Sequence, residues 1–348
     1  MSLLREAGAV QRVGMLLALV AGAVLGPGSW IVPGALAGAV AVSLVLFRGR
    51  PVVVAALLGV AALRLLAEPV ADGFWAMVVA IWLGAWMLVS WLAEARARLA
   101  APAVFGITLL WLWEAVVLGA GVPRVILPPP SAIAARLAGS TDILWVDFVQ
   151  TFVKGALTGY AIGCGAAIIV AILIDRSPFL TRGLLPVGNF VAALPIIGIA
   201  PILVMWFGFD WQSKAAVVVV MVFFPVLVNT VEGLRAAEPM QRDLMHTYSA
   251  SYLQSLAKLR LPAAMPFIFN GLKIATTLAL IGAIVAEFFG SPIRGMGFRI
   301  STEVGRLGLD MVWAEIAVAA LAGSAFYGLV AVIERWVTFW HPSQRSRG

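Results

Sequence analysis

Few side chains in this sequence have the chemistry to act on anything. The two histidines, His246 and His341, have no ligand partner at metal spacing, and the single cysteine, Cys164, sits inside an apolar run. A metal centre, an internal disulfide and a thiol nucleophile are therefore not expected. No nucleophile motif or paired-carboxylate site is present, which puts a membrane enzyme far behind other readings. The polar groups that stand out lie within or beside long apolar runs: Glu114, Lys154, Asn189, Asn229, Thr230, Asn270, Lys273, Thr276, Thr277 and Glu287. Ionisable groups are costly in hydrocarbon and usually face a pathway or a partner. Lys154, Lys273 and Glu287 lie near the ends of their runs, where snorkelling accounts for them. Asn189, Asn229, Asn270 and Thr276 lie deeper, and either a polar pathway or interhelical hydrogen bonding explains them.

The second concentration of polar chemistry is the stretch VEGLRAAEPMQRDLMHTYSASYLQSLAKLRLPAAMP, which separates two membrane-length apolar runs. Pro239 suits a first helical turn. Met240, Leu244, Met245 and Tyr248 then fall on one face at helical spacing. Ser251 can cap a second helix, with Tyr252, Leu253, Leu256 and Leu259 at its apolar positions. Lys258 and Arg260 near its end suit the helix dipole. The pattern predicts two short amphipathic helices joined at Ser249 and Ala250. It fits two uses equally: a surface on which a soluble partner pulls, or a pair of helices lying on lipid.

The elements that position these groups follow from composition. The chain has 348 residues, of which 62% are hydrophobic and 12% charged. Soluble domains carry about 25% charged residues. The fold class is all-α: a polytopic membrane protein of about ten transmembrane helices, each needing about 20 apolar residues. The expected spans are 13–47 (a hairpin broken at Gly26-Pro27-Gly28-Ser29), 51–66, 73–93, 102–119, 148–174, 183–207, 213–231, 264–289 and 312–336. The first span reads as retained, since no small-residue cleavage pattern follows it. With the N-terminus inside, Lys and Arg gather in the inner segments, as the positive-inside rule requires. The formal net charge of +7 is then a membrane signature, directed at anionic lipid and not at nucleic acid. Composition divides the chain into 1–100, a four-helix extension with little polar content, 101–340, and a tail, 341–348. The inner loop is 232–262.

Two further patterns bear on packing. Gly155, Gly159 and Gly163 recur every four residues, which lets helices approach closely; packing explains them without a solute contact. Pro186, Pro195 and Pro201 interrupt one apolar segment. Proline removes a backbone donor, and broken helices at membrane depth are tolerated where they face protein or water. The segment is either a bent element lining a gate or a kinked packing helix.

The inner loop resembles a motif of the permeases of bacterial ABC importers: Glu-Ala-Ala, three residues, Gly, nine residues, Ile-x-Leu-Pro. Here the same spacing gives Asp243-Leu244-Met245, then Ser249, then Leu259-Arg260-Leu261-Pro262. The end of the motif matches. At its start Asp replaces Glu, Leu-Met replaces Ala-Ala and Ser replaces Gly. Glycine permits a positive φ at a turn, so serine there implies a different turn or a strain cost. The resemblance extends over residues 102–340 to the nitrate, sulfonate and taurine type of permease. It is carried by Leu127-Pro128-Pro129-Pro130-Ser131, Ala193-Leu194-Pro195, Ala200-Pro201, Trp206-Phe207-Gly208, Phe223-Phe224-Pro225, Asn229-Thr230, Leu261-Pro262-Ala263-Ala264 and Ala286-Glu287.

That resemblance implies a type I importer core of six helices in the bacterial cytoplasmic membrane; the charge distribution and the count of ten spans put both chain termini on the cytoplasmic side. It implies a permease homodimer, cytoplasmic ABC ATPase subunits that hold the ATP and Mg, and a periplasmic or lipid-anchored substrate-binding protein. No cofactor is expected in this chain, which has no GxxxxGK[ST] phosphate loop and is not expected to be an enzyme. The implied ATPase-coupling residues are Asp243, Leu244, Met245, Tyr248, Ser249, Ala250, Ser251, Leu256, Leu259, Leu261 and Pro262. Asn189, Pro195, Pro201, Asn229, Asn270, Thr276 and Glu287 are the candidate pathway or gate residues, chosen by their polarity or helix-breaking type within apolar runs. Asp243-Leu244-Met245 and Glu287-Phe288-Phe289-Gly290 look closer to permeases for thiamine-pyrimidine precursors or riboflavin than to those for sulfonates, taurine or nitrate. The competing class is an ion-coupled secondary transporter, which needs buried carboxylates as ion sites; Glu114 and Glu287 are the main cases.

Overall fold

A computed structural model describes residues 51–67, 73–94, 99–177, 179–180, 183, 195–290 and 293–340. The expected hairpin at 13–47, Pro186, Asn189 and His341 lie outside the described residues. Every regular element among the described residues is helical. That is what hydrocarbon demands, because only a helix or a closed barrel satisfies all backbone polar groups there. Six helices are long and apolar enough to cross a membrane, so the expectation of about ten spans is met for six. The helices at 51–67 and 196–207 are apolar but shorter.

The chain divides into two compact units, Met1–Ala135 and Arg136–Gly348. In the first, α1 (Pro51–Ala67), α2 (Phe74–Glu94) and α3 (Ala100–Gly119) share a core of Leu58, Ala61, Leu65, Phe74, Met77, Ile81, Leu88 and Ala115. The Trp111 indole N–H donates to the Ala62 carbonyl at 3.2 Å. Glu114, near the end of α3, is 9% exposed. Its carboxylate accepts from the Ser131 hydroxyl at 2.6 Å and from the Ser131 N–H at 2.9 Å. Ser131 is the second residue of α4 (Pro130–Gly139), and early helical N–H groups have no intrahelical acceptor. The Leu-Pro-Pro-Pro-Ser run is thus a helix start capped by a carboxylate from the preceding span. Glu114 has a structural partner and is not an open ion site.

In the second unit, α7 (Trp211–Arg235) is the central helix, packed between α5 (Thr141–Arg176) and α9 (Tyr252–Phe288). Val217, Val218, Val222, Val226 and Leu227 of α7 are all fully buried. The glycine stripe of α5 makes this possible. A Cβ on Gly159 would stand 2.5 Å from Val218 Cβ and 2.7 Å from the Ala215 carbonyl oxygen. One on Gly163 would stand 2.5 Å from Val222 Cγ2 and 3.0 Å from Val219 Cα. Gly233, Gly271 and Gly282 form the corresponding seam between α7 and α9. The remaining elements are α6 (Ile196–Phe207), which contains Pro201, α8 (Pro239–Thr247), α10 (Met296–Gly305) and α11 (Leu309–Val337).

Two helices differ from the sequence expectation. In α5 the chain is π-helical over Val149–Leu157. In α9 the second loop helix does not end before the membrane. It passes through a π turn, Leu256–Arg260, straight into the following span. The Leu261 N–H reaches back five residues to the Leu256 carbonyl. The widened turn resets the ladder just ahead of Pro262, which cannot donate. At ~1.5 Å per residue, the 37 residues of α9 extend about 55 Å, against a hydrocarbon core of about 30 Å.

Candidate functional site

The inner loop is built from local rules. Glu238 precedes α8, and Pro239 occupies its first turn, where a missing N–H costs nothing. The Arg242 guanidinium donates to the Ala237 carbonyl at 2.7 and 3.0 Å and to the Arg235 carbonyl at 2.9 Å, tying α8 to the end of α7. No residue of α8 is buried. Met240 (75% exposed), Leu244 (55%), Tyr248 (77%) and, beyond the turn, Leu253 (70%) form an uncovered apolar face.

The turn closing α8 answers the question posed by serine in place of glycine. Ser249 adopts φ 51°. Its N–H donates to the His246 carbonyl at 2.9 Å, and the Ala250 N–H donates to the Met245 carbonyl at 3.0 Å. These are the two bonds of a Schellman ending, whose left-handed residue is usually glycine. The turn is therefore of the glycine type, and serine bears the strain. Ser251 then caps α9 in a reciprocal box: its N–H donates to Gln254 Oε1 at 2.8 Å, and the Gln254 N–H donates to Ser251 Oγ at 3.3 Å.

At the other end of the span lies a buried polar network. α10 begins with three successive N–H groups, on Gly295, Met296 and Gly297, and each is taken by a side chain from elsewhere. Asp147 Oδ1 accepts from Gly295 at 2.6 Å, Thr151 Oγ1 from Met296 at 2.7 Å, and Glu287 Oε2 from Gly297 at 2.7 Å. Thr151 lies 2.9 Å from both Glu287 oxygens, to which its hydroxyl donates. Arg299 Nε donates to Asp147 Oδ2 at 2.8 Å. Gly295 has φ 118°, and the Glu287 carboxylate occupies the place a Cβ would take, so only glycine fits. Glu315, fully buried, stands beside Asp147. Lys214, 1% exposed, donates to the Phe209 carbonyl. Just outside α7, Asp210 is held below the usual carboxylate range by the Trp211 N–H and then by the Gln150 amide, which donates at 3.1 Å.

Residues 162–339, from within α5 through α6 to α11, match the sequence profile described as binding-protein-dependent transport system inner membrane component. The chain belongs to this family. A probable ABC transporter permease of Haemophilus influenzae is 33% identical over 235 residues, covering 67% of this chain and 94% of the relative. The formylaminopyrimidine transport permease protein ThiX of Halalkalibacterium halodurans is 31% identical over 246 residues, 70% of this chain and 96% of its own. The riboflavin transport system permease protein RibX of Chloroflexus aurantiacus is 30% identical over 237 residues, 68% and 88% respectively.

Against that background the permease rearranges several expected roles. Asp243, Leu244 and Met245 lie on one short helix, followed by its C-cap Tyr248 and by Ser249, Ala250 and Ser251 in the turn. Leu256, grouped with the loop surface by its spacing, is 6% exposed and packs on Leu234, Ala264 and Ile268. It braces the loop from below. Leu259, Leu261 and Pro262 are half-buried in the run into the span.

Of the expected pathway groups, Asn229 and Asn270 meet: Asn270 Nδ2 donates to Asn229 Oδ1 at 3.0 Å, and Asn229 Nδ2 donates to the Pro225 carbonyl at 2.8 Å. Asn270 also lines a cavity of about 380 Å³ with Lys273, Ile274, Thr277, Leu278 and Tyr327. Lys273 pairs there with Glu334 at 2.7 Å, so it is an ion-pair partner and not a snorkelling chain. Thr276 is fully buried, its hydroxyl donating to the Lys273 carbonyl at 2.7 Å. Glu287 is 2% exposed and clamps α10. Within this chain both are buried and hydrogen-bonded to its own helices. Pro195 is exposed at the start of α6, and Pro201 lies within it. Asp147, Thr151, Glu315 and Glu334 were missed. For Glu315 a signal existed, since the intramembrane-carboxylate rule that marks Glu287 applies to it equally.

Proposed function

We propose that this chain is the membrane-spanning subunit of an ATP-driven importer, in which cytoplasmic ATPases holding ATP and Mg seat on α8. The supporting observation is the uncovered apolar face of Met240, Leu244 and Tyr248, carried on a loop with the family's motif spacing. Residues 101–340 form the transport unit, and two copies enclose the path. An external binding protein, periplasmic or lipid-anchored, delivers the solute. The subunit lies in the bacterial cytoplasmic membrane with both ends inside. Alternating access needs two conformations of similar energy, and nucleotide binding biases them through the loop. The solute is a small nitrogen heteroaromatic, in line with the names of the pyrimidine and riboflavin relatives; sulfonates come next.

The test is Leu244→Asp. The variant inserts normally, because Leu244 touches no core, yet the ATPase no longer purifies with it in mild detergent. Retention of the ATPase at the parent's stoichiometry would overturn the assignment. The solute is found separately, by measuring the ligand of the binding protein that purifies with the complex.

A further inference from the structure

At the inner end of α5, Asp175 is buried, with only 6% of its side chain exposed. It forms an ion pair with Arg260, at the end of the π turn in α9. The Tyr252 hydroxyl, from the first residue of α9, donates to Asp175 Oδ2 at 3.0 Å. The same Arg260 guanidinium donates through Nε at 3.2 Å and Nη2 at 3.1 Å to the Leu234 carbonyl, in the last turn of α7. That carbonyl has no intrahelical donor. The Arg176 guanidinium lies 5.6 Å over the Tyr252 ring. Beneath the polar groups, Leu256 packs on Leu234. Tyr252, Leu256 and Arg260 recur every four residues, so one face of the helix carries the whole assembly.

The connectivity gives this cluster its meaning. The loop carrying α8 is joined covalently to α7 and α9, but not to α5. Whatever force enters at α8 reaches those two helices through the backbone. It reaches α5 through the apolar packing on α7 and the Leu234–Leu256 cluster, and, at the inner end, through the directional polar contacts of Asp175. We infer that the Asp175–Arg260–Tyr252 clasp is the coupling link that makes α5 move with the inner loop, and that Asp175 and Arg260 are positioning residues for transport. This rests on the ATPase-docking reading above. A planar guanidinium suits the task, since its fork holds a carboxylate and a carbonyl at once, which a lysine ammonium does with one fewer fixed direction. A charge pair this buried is costly to break from one side, so the clasp transmits displacement instead of yielding.

The experiment uses the full chain purified with its ATPase, in a Cys164→Ser background, carrying one bimane-labelled cysteine. The label sits on α5 (Ile169→Cys) or on α9 (Ile281→Cys). Both parent residues are exposed, at 62% and 46%. The probe is MgATP with vanadate, and the readout is the change in bimane emission. In the parent both labels respond. In Asp175→Asn the ATPase still co-purifies, the nucleotide-free emission is unchanged and the α9 label responds. The α5 response falls about five-fold, within the range by which residues along a coupling chain alter it. Arg260→Lys gives an intermediate loss. Tyr252→Phe, which removes one hydroxyl, about halves the α5 response and decides the matter if Asp175→Asn does not fold. An undiminished α5 response in Asp175→Asn or Tyr252→Phe, or equal loss at both labels, overturns the clasp. Absence of the ATPase from the purified parent, or no response at either label in it, instead overturns the docking reading on which it rests.

Discussion

Thr151 offers the sharpest test of the buried network that caps α10. Its side chain is fully buried, and its hydroxyl has two jobs: it donates to Glu287 and accepts from the Met296 N–H. Thr151→Val keeps the shape and removes both. The Met296 N–H, itself fully buried, is left without an acceptor, which costs about 1–3 kcal/mol, and the lost bond to the carboxylate adds about 1.5–3 kcal/mol. A total of about 2.5–6 kcal/mol loosens the start of α10 by a factor of at least about sixty, at 1.4 kcal/mol per tenfold. Thr151→Ser keeps the hydroxyl and deletes one methyl, costing about 1 kcal/mol. Arg294 is exposed just ahead of the clamp, so trypsin cleavage after it reports the opening, because cleavage follows the open population when closing is fast. Thr151→Val is expected to be cut at least about sixty-fold faster than the parent, and Thr151→Ser less than about ten-fold faster. Equal cleavage rates in the two variants would refute the reasoning.

Ser249→Gly should stabilise the inner loop, since a left-handed residue other than glycine carries roughly 1–2 kcal/mol of strain, offset by about 0.4–1 kcal/mol of added chain entropy. Slower hydrogen exchange at the Ala250 amide is the check, and faster exchange contradicts it. Gly159→Leu should prevent α5 from seating on α7, because even one carbon there meets Val218 and the Ala215 carbonyl. Overpacking costs about 1–3 kcal/mol even for added methylenes, so thermal unfolding in detergent should fall well below that of Gly165→Leu, where a Cβ meets nothing. Leu256→Asp should behave unlike Leu244→Asp: burying a carboxylate among Leu234, Ala264 and Ile268 impairs folding itself, seen as loss of monodisperse protein.

Where local chemistry decides structure, the sequence was readable. Pro239 and Ser251 start helices as their types require, and the four-residue glycine spacing places α5 against α7. Six of the expected spans are legible because apolar length is a composition property. What escaped notice depends on tertiary placement. The π segments at Val149–Leu157 and Leu256–Arg260 shift the hydrophobic period by a single residue, too little to detect. Asp147 stands just before an apolar run and reads as a loop acid; it is buried because α10 folds back over it to be capped. Leu256 shares its helical face with surface residues until Leu234 and Ile268 arrive beneath it. Lys273 reads as a snorkelling chain because Glu334, its partner, is distant in sequence.

The central claim is that the exposed face of α8 meets a motor protein and not the lipid surface. A photo-crosslinking amino acid in place of Leu244, activated in native membranes, decides between them. The account predicts one dominant adduct, with a soluble protein that carries a GxxxxGK[ST] phosphate loop, and none from the same probe at Ile169. Adducts with lipid alone at Leu244 would contradict it.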